Sequence, residues 1–144
     1  MWEEKRWPIR NGIYFADETV VLMDVSIPWK IGDETPSATI SNSIKLNELE
    51  EFQKNIKTRI GQSCEQSYPK LNLLISCGGG SHGSEGFIAM TQITTSNLVW
   101  LAYFDCSNPF EKVSLSDGVV TAVSNLGHKW QLPLEKPETL KINL

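Results

Sequence analysis

The sequence predicts an α+β fold: a mostly antiparallel sheet of about seven or eight short strands, with one main amphipathic helix at residues 47–60 packed on one face. Residues 98–104 carry no charged or strongly polar side chain, which predicts a central strand that is covered on both faces. After residue 70 the turns are short, which favours antiparallel neighbours, because parallel strands need long crossovers. Apolar residues recur every three or four positions within 47–60, which favours a helix.

The first part of the chain is predicted to form an arm, a hairpin and a loop. Residues 1–11 are polar with two tryptophans, and we expect this arm to dock its aromatic rings on the domain. Residues 13–15 and 19–27 are predicted strands, and Pro28 ends the second one because proline cannot join a central ladder. Residues 29–43 are rich in glycine, proline, serine and threonine, which predicts a long loop, and loops of this length are often functional.

The helix at 47–60 is predicted from its ends as well as from its apolar stripe. Asn47 and Glu50 fit a variant capping box at the start, and Gly61 is placed just beyond the end. Acidic residues lie in the first turn and basic residues in the last, which suits the helix dipole. The stripe that we expect to face the core is Leu49, Phe52, Ile56 and Ile60.

The remaining chain is predicted to alternate between strands and turns. Residues 63–70 are predicted to be a loop and residues 78–86 a glycine-rich connection. The strongest hairpin signal is Ser116-Asp117-Gly118 between two short apolar runs. The predicted strands in this part are 71–77, 87–93, 98–104, 113–115, 119–123 and 129–134. Residues 140–144 alternate again and are a candidate for one further short strand.

Length, charge and cysteine usage limit the possible functions. A chain of 144 residues predicts a single globular domain, and its formal charge of −4 is spread evenly, without the basic stripe of a nucleic-acid-binding protein. The first eight residues contain no apolar signal region, and no apolar run is long enough to cross a membrane, so we expect a soluble, cytoplasmic protein. Three widely spaced cysteines without a CxxC motif argue against a disulfide framework or a zinc site. We predict no cofactor and no metal.

The glycine-rich stretch 78–86 matches two catalytic motifs by pattern alone. Gly78, Gly80 and Gly83 fit G-x-G-x-x-G, but a strand rather than the required helix is predicted to follow. Ser81 fits the nucleophile position of G-x-S-x-G, which requires a strand–turn–helix and a separate histidine base. We favour a flexible hairpin loop whose glycines supply positive φ angles. In that loop, His82 and Glu85 are the residues whose side chains could take part in binding or catalysis.

The other candidate residues are thiols and loop acids. Cys77 and Cys106 lie at the ends of predicted strands, and we favour the interpretation that both are buried, unreactive thiols. A second interpretation, in which Cys106 is a nucleophile activated by His128, stays open. The loop after residue 28 combines a tryptophan with paired acids, a composition that suits a protein interface with a basic partner. The candidate partner-binding residues are Trp29, Asp33, Glu34, His82 and Glu85.

The second half of the chain resembles the small immunity proteins of bacterial polymorphic-toxin and contact-dependent growth inhibition systems. The resemblance lies in residues 100–105 (WLAYFD), 107–110 (SNPF) and 124–130 (SNLGHKW). It implies a cytoplasmic, non-catalytic antitoxin that forms a stoichiometric complex with one cognate toxin domain, often a basic nuclease, and does not bind nucleic acid or membrane itself. Two alternatives stay open: a small hydrolase-like enzyme that uses Ser81 or Cys106 with a histidine, and a structural adaptor subunit.

Overall fold

The computed structural model describes residues 1–28 and 35–143, in which every strand pairing is antiparallel. A seven-stranded sheet packs on a four-stranded sheet. Two further strands pair only with each other and are not hydrogen-bonded into either sheet. The strands are β1 Arg6–Pro8, β2 Gly12–Phe15, β3 Thr19–Ser26, β4 Ser37–Lys45, β5 Lys57–Arg59, β6 Gly61–Tyr68, β7 Leu73–Gly79, β8 Gly86–Gln92, β9 Leu98–Phe104, β10 Phe110–Ser116, β11 Val119–Ser124, β12 Lys129–Pro133 and β13 Lys141–Asn143. The helix α1 spans Glu50–Gln53, and short 3₁₀ turns span Leu46–Glu48, Pro69–Leu71 and Pro137–Thr139.

The predicted central strand is confirmed. The large sheet has the order β4-β3-β2-β9-β8-β7-β6, so β9 occupies its middle position. Residues from Trp100 to Phe104 are all buried, with Trp100, Ala102 and Phe104 on one face and Leu101 and Tyr103 on the other. A strand in this position can have no polar face, because protein covers both of its faces.

The main core lies between the large sheet and the sheet β10-β11-β12-β13. Trp130 on β12 is fully buried there, and its ring centroid lies 4.4 Å from that of Phe104 on β9 and 5.5 Å from that of Phe110 on β10. The Trp130 side chain therefore bridges the two layers of the sandwich.

A second core covers the opposite face of the large sheet, and the N-terminal arm contributes to it. Trp7 on β1 is buried and meets Tyr14 edge-on, with 5.3 Å between the ring centroids. Leu46 and Leu49 complete this layer from the segment before α1. The arm therefore docks through Trp7, as the sequence suggests.

The predicted helix at 47–60 is wrong. Only residues 50–53 form an α-helix, because the chain turns at Asn55, which has a left-handed φ of 56°. The chain then continues as β5, which pairs with β1 through Trp7 and Thr58. Leu49 and Ile60 are buried as expected, but Ile56 is 44% exposed. The four residues of the predicted apolar stripe therefore do not all face the core. Pairing with the arm overrides the helical periodicity.

Two predicted loops also contain strands. Part of residues 29–43 belongs to β4, and residues 63–70 largely belong to β6. Together with β1 and β5, which the sequence pattern also misses, they bring the described residues to 13 strands rather than seven or eight. Both strands are edges of the seven-stranded sheet and are mostly exposed and polar. Edge strands that are mostly exposed carry little apolar alternation, which is the signal that a sequence pattern detects.

The hairpin predicted at Ser116-Asp117-Gly118 is confirmed. Ser116 pairs with Val119, and the two turn residues Asp117 and Gly118 have φ values of 50° and 73°, as a two-residue primed turn requires. Within residues 1–28 and 35–143, none of the helices has the length and apolar character needed to cross a bilayer.

Candidate functional site

The glycine-rich loop is organised by the buried carboxylate of Glu85, which is only 1% exposed. Its Oε1 accepts hydrogen bonds from the Thr58 hydroxyl at 2.9 Å and from the His82 backbone N–H at 2.8 Å. Its Oε2 accepts a hydrogen bond from the Tyr103 hydroxyl. The Thr58 hydroxyl also accepts a hydrogen bond from the Ser81 backbone N–H at 3.0 Å. The loop is therefore tied to both β5 and β9.

These contacts give Glu85 a structural role. Burial, and then the hydrogen bond to Glu85, raise the pKa of Tyr103, so this phenol stays protonated and continues to donate. A buried carboxylate needs such donors, because an ionised group without partners is costly inside a protein. Glu85 was predicted to contact a partner protein, but its oxygens face the interior in this structure.

The glycines of this stretch do not supply positive φ angles, which corrects the sequence interpretation. None of Gly78, Gly80 and Gly83 has a φ in the left-handed region. Gly78 is instead required for close approach, because a Cβ atom there would collide with the carbonyl oxygen of Gly61 on β6 and lie 2.9 Å from the ring of Phe87. The absence of a side chain allows β6 and β7 to pair at this point.

We expect Gly78→Ala to lower the free energy of unfolding by roughly 1–3 kcal/mol, because the added methyl group overpacks the β6–β7 pairing. Gly83→Ala is the matched control in the same loop: a Cβ atom there meets nothing within 4 Å. Its effect should stay within about 0.5 kcal/mol. Urea titration of both variants measures this difference, and equal stabilities would contradict the close-approach explanation.

The residues of the hydrolase alternative are not assembled into a catalytic group. In the part of the chain that the structure describes, no hydrogen bond joins Ser81 or Cys106 to a histidine side chain. Ser81 Oγ instead bonds to the backbone of Arg59, accepting from its N–H at 3.2 Å. Burial, and then the charge of Asp105, raise the pKa of Cys106 to about 11, which disfavours the nucleophilic thiolate. The G-x-G-x-x-G pattern also fails, because β8 rather than a helix follows it.

Of the other predicted partner-binding residues, His82 is the one that the structure describes. Trp29, Asp33 and Glu34 lie outside the described residues. The side chain of His82 is exposed at the tip of the glycine-rich loop, where it remains a candidate contact.

A better candidate site is the aromatic cleft, a concavity of about 520 Å³ between the N-terminal arm, the β2–β3 turn and the start of β9. Its volume lies in the range of about 300–1,000 Å³ that is usual for binding sites. The aromatic side chains that line it are Trp2, Trp7, Tyr14, Phe15 and Phe52. Trp7 and Tyr14 are buried and form a fixed wall, while Trp2, Phe15 and Phe52 are half-buried and accessible from solvent.

The arm that forms one side of the aromatic cleft is held in place by several contacts. β1 pairs with β5, and the guanidinium of Arg10 lies 3.0 Å from the carboxylate of Glu51 on α1. The Tyr14 hydroxyl donates to the Arg10 carbonyl oxygen at 2.8 Å. The cleft is therefore largely formed before any ligand binds.

Acidic groups lie at the opening of the aromatic cleft. Glu18 lines the cleft, Glu3 lines an adjoining depression that also contacts Trp2, and both side chains are exposed. The ammonium group of Lys5 already lies 3.1 Å from the centroid of the Trp2 ring. This is a cation–π contact within the arm, and the Lys5 ammonium lies over one face of the Trp2 ring. No local sequence pattern reveals the cleft, and the two tryptophans of the polar arm, Trp2 and Trp7, are its available signal.

Comparison of the chain with known protein families, characterised proteins and solved structures finds no match.

Proposed function

We propose that this chain is a non-catalytic binding protein of the immunity type, which neutralises a cognate toxin domain by forming a stoichiometric complex in the cytoplasm. The observation that carries the proposal is the aromatic cleft with acidic groups at its opening. Tryptophan and tyrosine are enriched where partner proteins insert their anchor residues. The partner that suits this site is a basic protein domain.

Charge supports the same partner. The chain has a formal charge of −4, and the exposed acids Glu3 and Glu18 lie at the aromatic cleft beside the ammonium groups of Lys5 and Lys45. A basic domain, such as a nuclease toxin, would be steered towards this surface, and the steering would raise the association rate more than the final affinity. A lysine or arginine of the partner could place its aliphatic stem against the aromatic rings and its charged group near the acids.

The test is a titration of this protein against the C-terminal domain of the protein that is encoded directly upstream, followed by an assay of that domain's toxicity. One-to-one binding that silences the toxic activity supports the proposal. If no complex forms, or if the complex leaves the toxic activity intact, the proposal fails.

We expect Trp2→Ala to raise the dissociation constant of this complex by roughly 10- to 100-fold, because it removes a central aromatic anchor. Leu126→Ala is the control, since Leu126 is a large apolar residue that is 49% exposed and does not line the cleft. Isothermal titration calorimetry measures both, and circular dichroism checks that the variants fold. Equal affinity of the two variants would place the interface elsewhere.

A second pair of variants tests the charge argument. Glu18→Lys should slow association roughly threefold to tenfold at low salt, and the difference should shrink as salt is added. Glu135→Lys makes the same charge change at an exposed residue outside the cleft lining. Stopped-flow association rates that fall equally in both variants would indicate net charge rather than the acids at the cleft.

A further inference from the structure

Two thiols face each other across β6 and β7. Cys64 and Cys77 are registered partners in the antiparallel ladder, 13 positions apart in the chain, and their Sγ atoms are 2.8 Å apart. Both are free thiols in this structure. Directly opposed residues have Cβ atoms about 4.5–5.5 Å apart, while a disulfide requires about 3.5–4.5 Å. A small adjustment of the strands would be enough to form the bond.

The ladder contains a place where this adjustment is easy. The β6–β7 register shifts between Gln62 and Cys64, directly beside the thiol pair. A bulge loosens the local hydrogen-bond pattern. β6 is also an edge strand whose backbone pairs with β7 alone, and its link to β10, the hydrogen bond from the Leu115 N–H to the Tyr68 hydroxyl, lies four residues beyond Cys64.

The two thiols differ in their access to a reagent. Cys64 is half-buried and lines a surface cleft of about 380 Å³, together with residues of β10 and β11. Cys77 is fully buried, and its thiol lies 3.5 Å from the carbonyl oxygen of Phe110. Burial, and then the neighbouring Cys64 thiol, raise the pKa of Cys77, so it stays protonated. A reagent from solvent therefore meets Cys64 first.

We propose that Cys64 and Cys77 are a redox modification site, which a small-molecule disulfide of the glutathione class oxidises to a cross-strand disulfide. The Cys64 thiolate attacks the reagent disulfide, forms a mixed disulfide and releases one reagent thiolate. Cys77 then attacks the Cys64 sulfur and displaces the second reagent thiolate, which takes up the proton that the Cys77 thiol gives up. The two protein thiols lose two electrons, and the reagent disulfide gains them and becomes two thiols. This inference does not rest on the proposed function.

We expect the disulfide to stabilise the folded protein by linking the edge strand β6 to β7. A bond between Cys64 and Cys77 closes a loop of 13 positions in the unfolded chain, which reduces the entropy of that state. The midpoint of thermal unfolding should rise by on the order of 5–10 °C on oxidation and return on reduction.

The experiment treats the native protein with glutathione disulfide, removes the excess and counts free thiols in denaturant. The protein has three cysteines, and oxidation should leave one, Cys106, with a mass loss of two hydrogen atoms and no bound glutathione. Cleavage after glutamate separates the cysteines into residues 52–65, 66–85 and 86–111, and the first two peptides should be joined. Dithiothreitol should restore all three thiols.

Two variants act as matched controls. Cys106→Ser should lose both remaining thiols and show the same rise in melting temperature. Cys64→Ser should form no internal disulfide and show no rise. The proposal is overturned if the wild-type protein keeps three thiols, if it retains glutathione on Cys64 after prolonged oxidation, or if the joined peptides contain Cys106.

Discussion

Replacing Glu85 with alanine is expected to lower the free energy of unfolding by about 3–5 kcal/mol, one of the two largest effects of any single substitution considered for this protein. The carboxylate serves three donors, the hydroxyls of Thr58 and Tyr103 and the backbone N–H of His82. In the alanine variant these groups lose their acceptor, and Thr58 and Tyr103 are both buried. Each unsatisfied buried donor costs roughly 1–3 kcal/mol.

Glu85→Gln keeps the size of the side chain and most of its capacity to form hydrogen bonds. The amide oxygen can replace Oε1, and the amide N–H₂ can donate to the Tyr103 oxygen, so we expect a smaller loss of about 1–2 kcal/mol. Glu135→Ala, at an exposed acid, should change stability by less than about 0.5 kcal/mol. Denaturant titration with fluorescence detection gives all three values. If Glu85→Ala is as stable as Glu135→Ala, Glu85 is not the organising group of the loop.

Trp130→Ala is the second substitution with a large expected effect, a loss of about 3–5 kcal/mol. The ring fills the space between the two sheets, against Phe104 and Phe110. The cavity left by alanine has rigid walls from both sheets and cannot collapse fully. Thermal and urea unfolding should both show the loss. A loss below about 1 kcal/mol would mean that the two sheets do not depend on this contact.

A comparison of two tryptophans refines this prediction. The indole N–H of Trp130 is buried and has no hydrogen-bond partner among the residues that the structure describes, whereas that of Trp100 donates to the Leu134 carbonyl oxygen at 3.0 Å. Substitution with phenylalanine therefore removes a hydrogen bond at position 100 and an unsatisfied donor at position 130. We expect Trp100→Phe to cost about 1 kcal/mol more than Trp130→Phe. The opposite order would show that ring packing alone sets both values.

The part of the fold that could be predicted is the part with strong local signals. Residues 98–104 were identified as the central strand because an apolar run of this length fits few other structures. The turn at Asp117 and Gly118 was predicted because its backbone requires residues that tolerate positive φ. These features depend on the residues themselves and their neighbours along the chain.

The candidate site depends on contacts between distant segments. The aromatic cleft joins Trp2, Phe52 and Leu98, which no local pattern connects. Glu85 was singled out as a reactive group of the loop, but its partners Thr58 and Tyr103 lie 27 and 18 positions away. Cys77 was considered with Cys106, whereas the ladder pairs it with Cys64.

By itself, the sequence determined that this protein is built mainly of antiparallel strands around residues 98–104, because strand periodicity and turn chemistry act over a few residues. The tertiary structure decided the rest. Pairing of β1 with β5 converted most of a helical pattern into a turn and strands, since tertiary contacts outweigh the small differences in helix propensity. It also brought the arm against the sheet to form the aromatic cleft and placed the two thiols side by side, because long-range strand register sets which side chains meet.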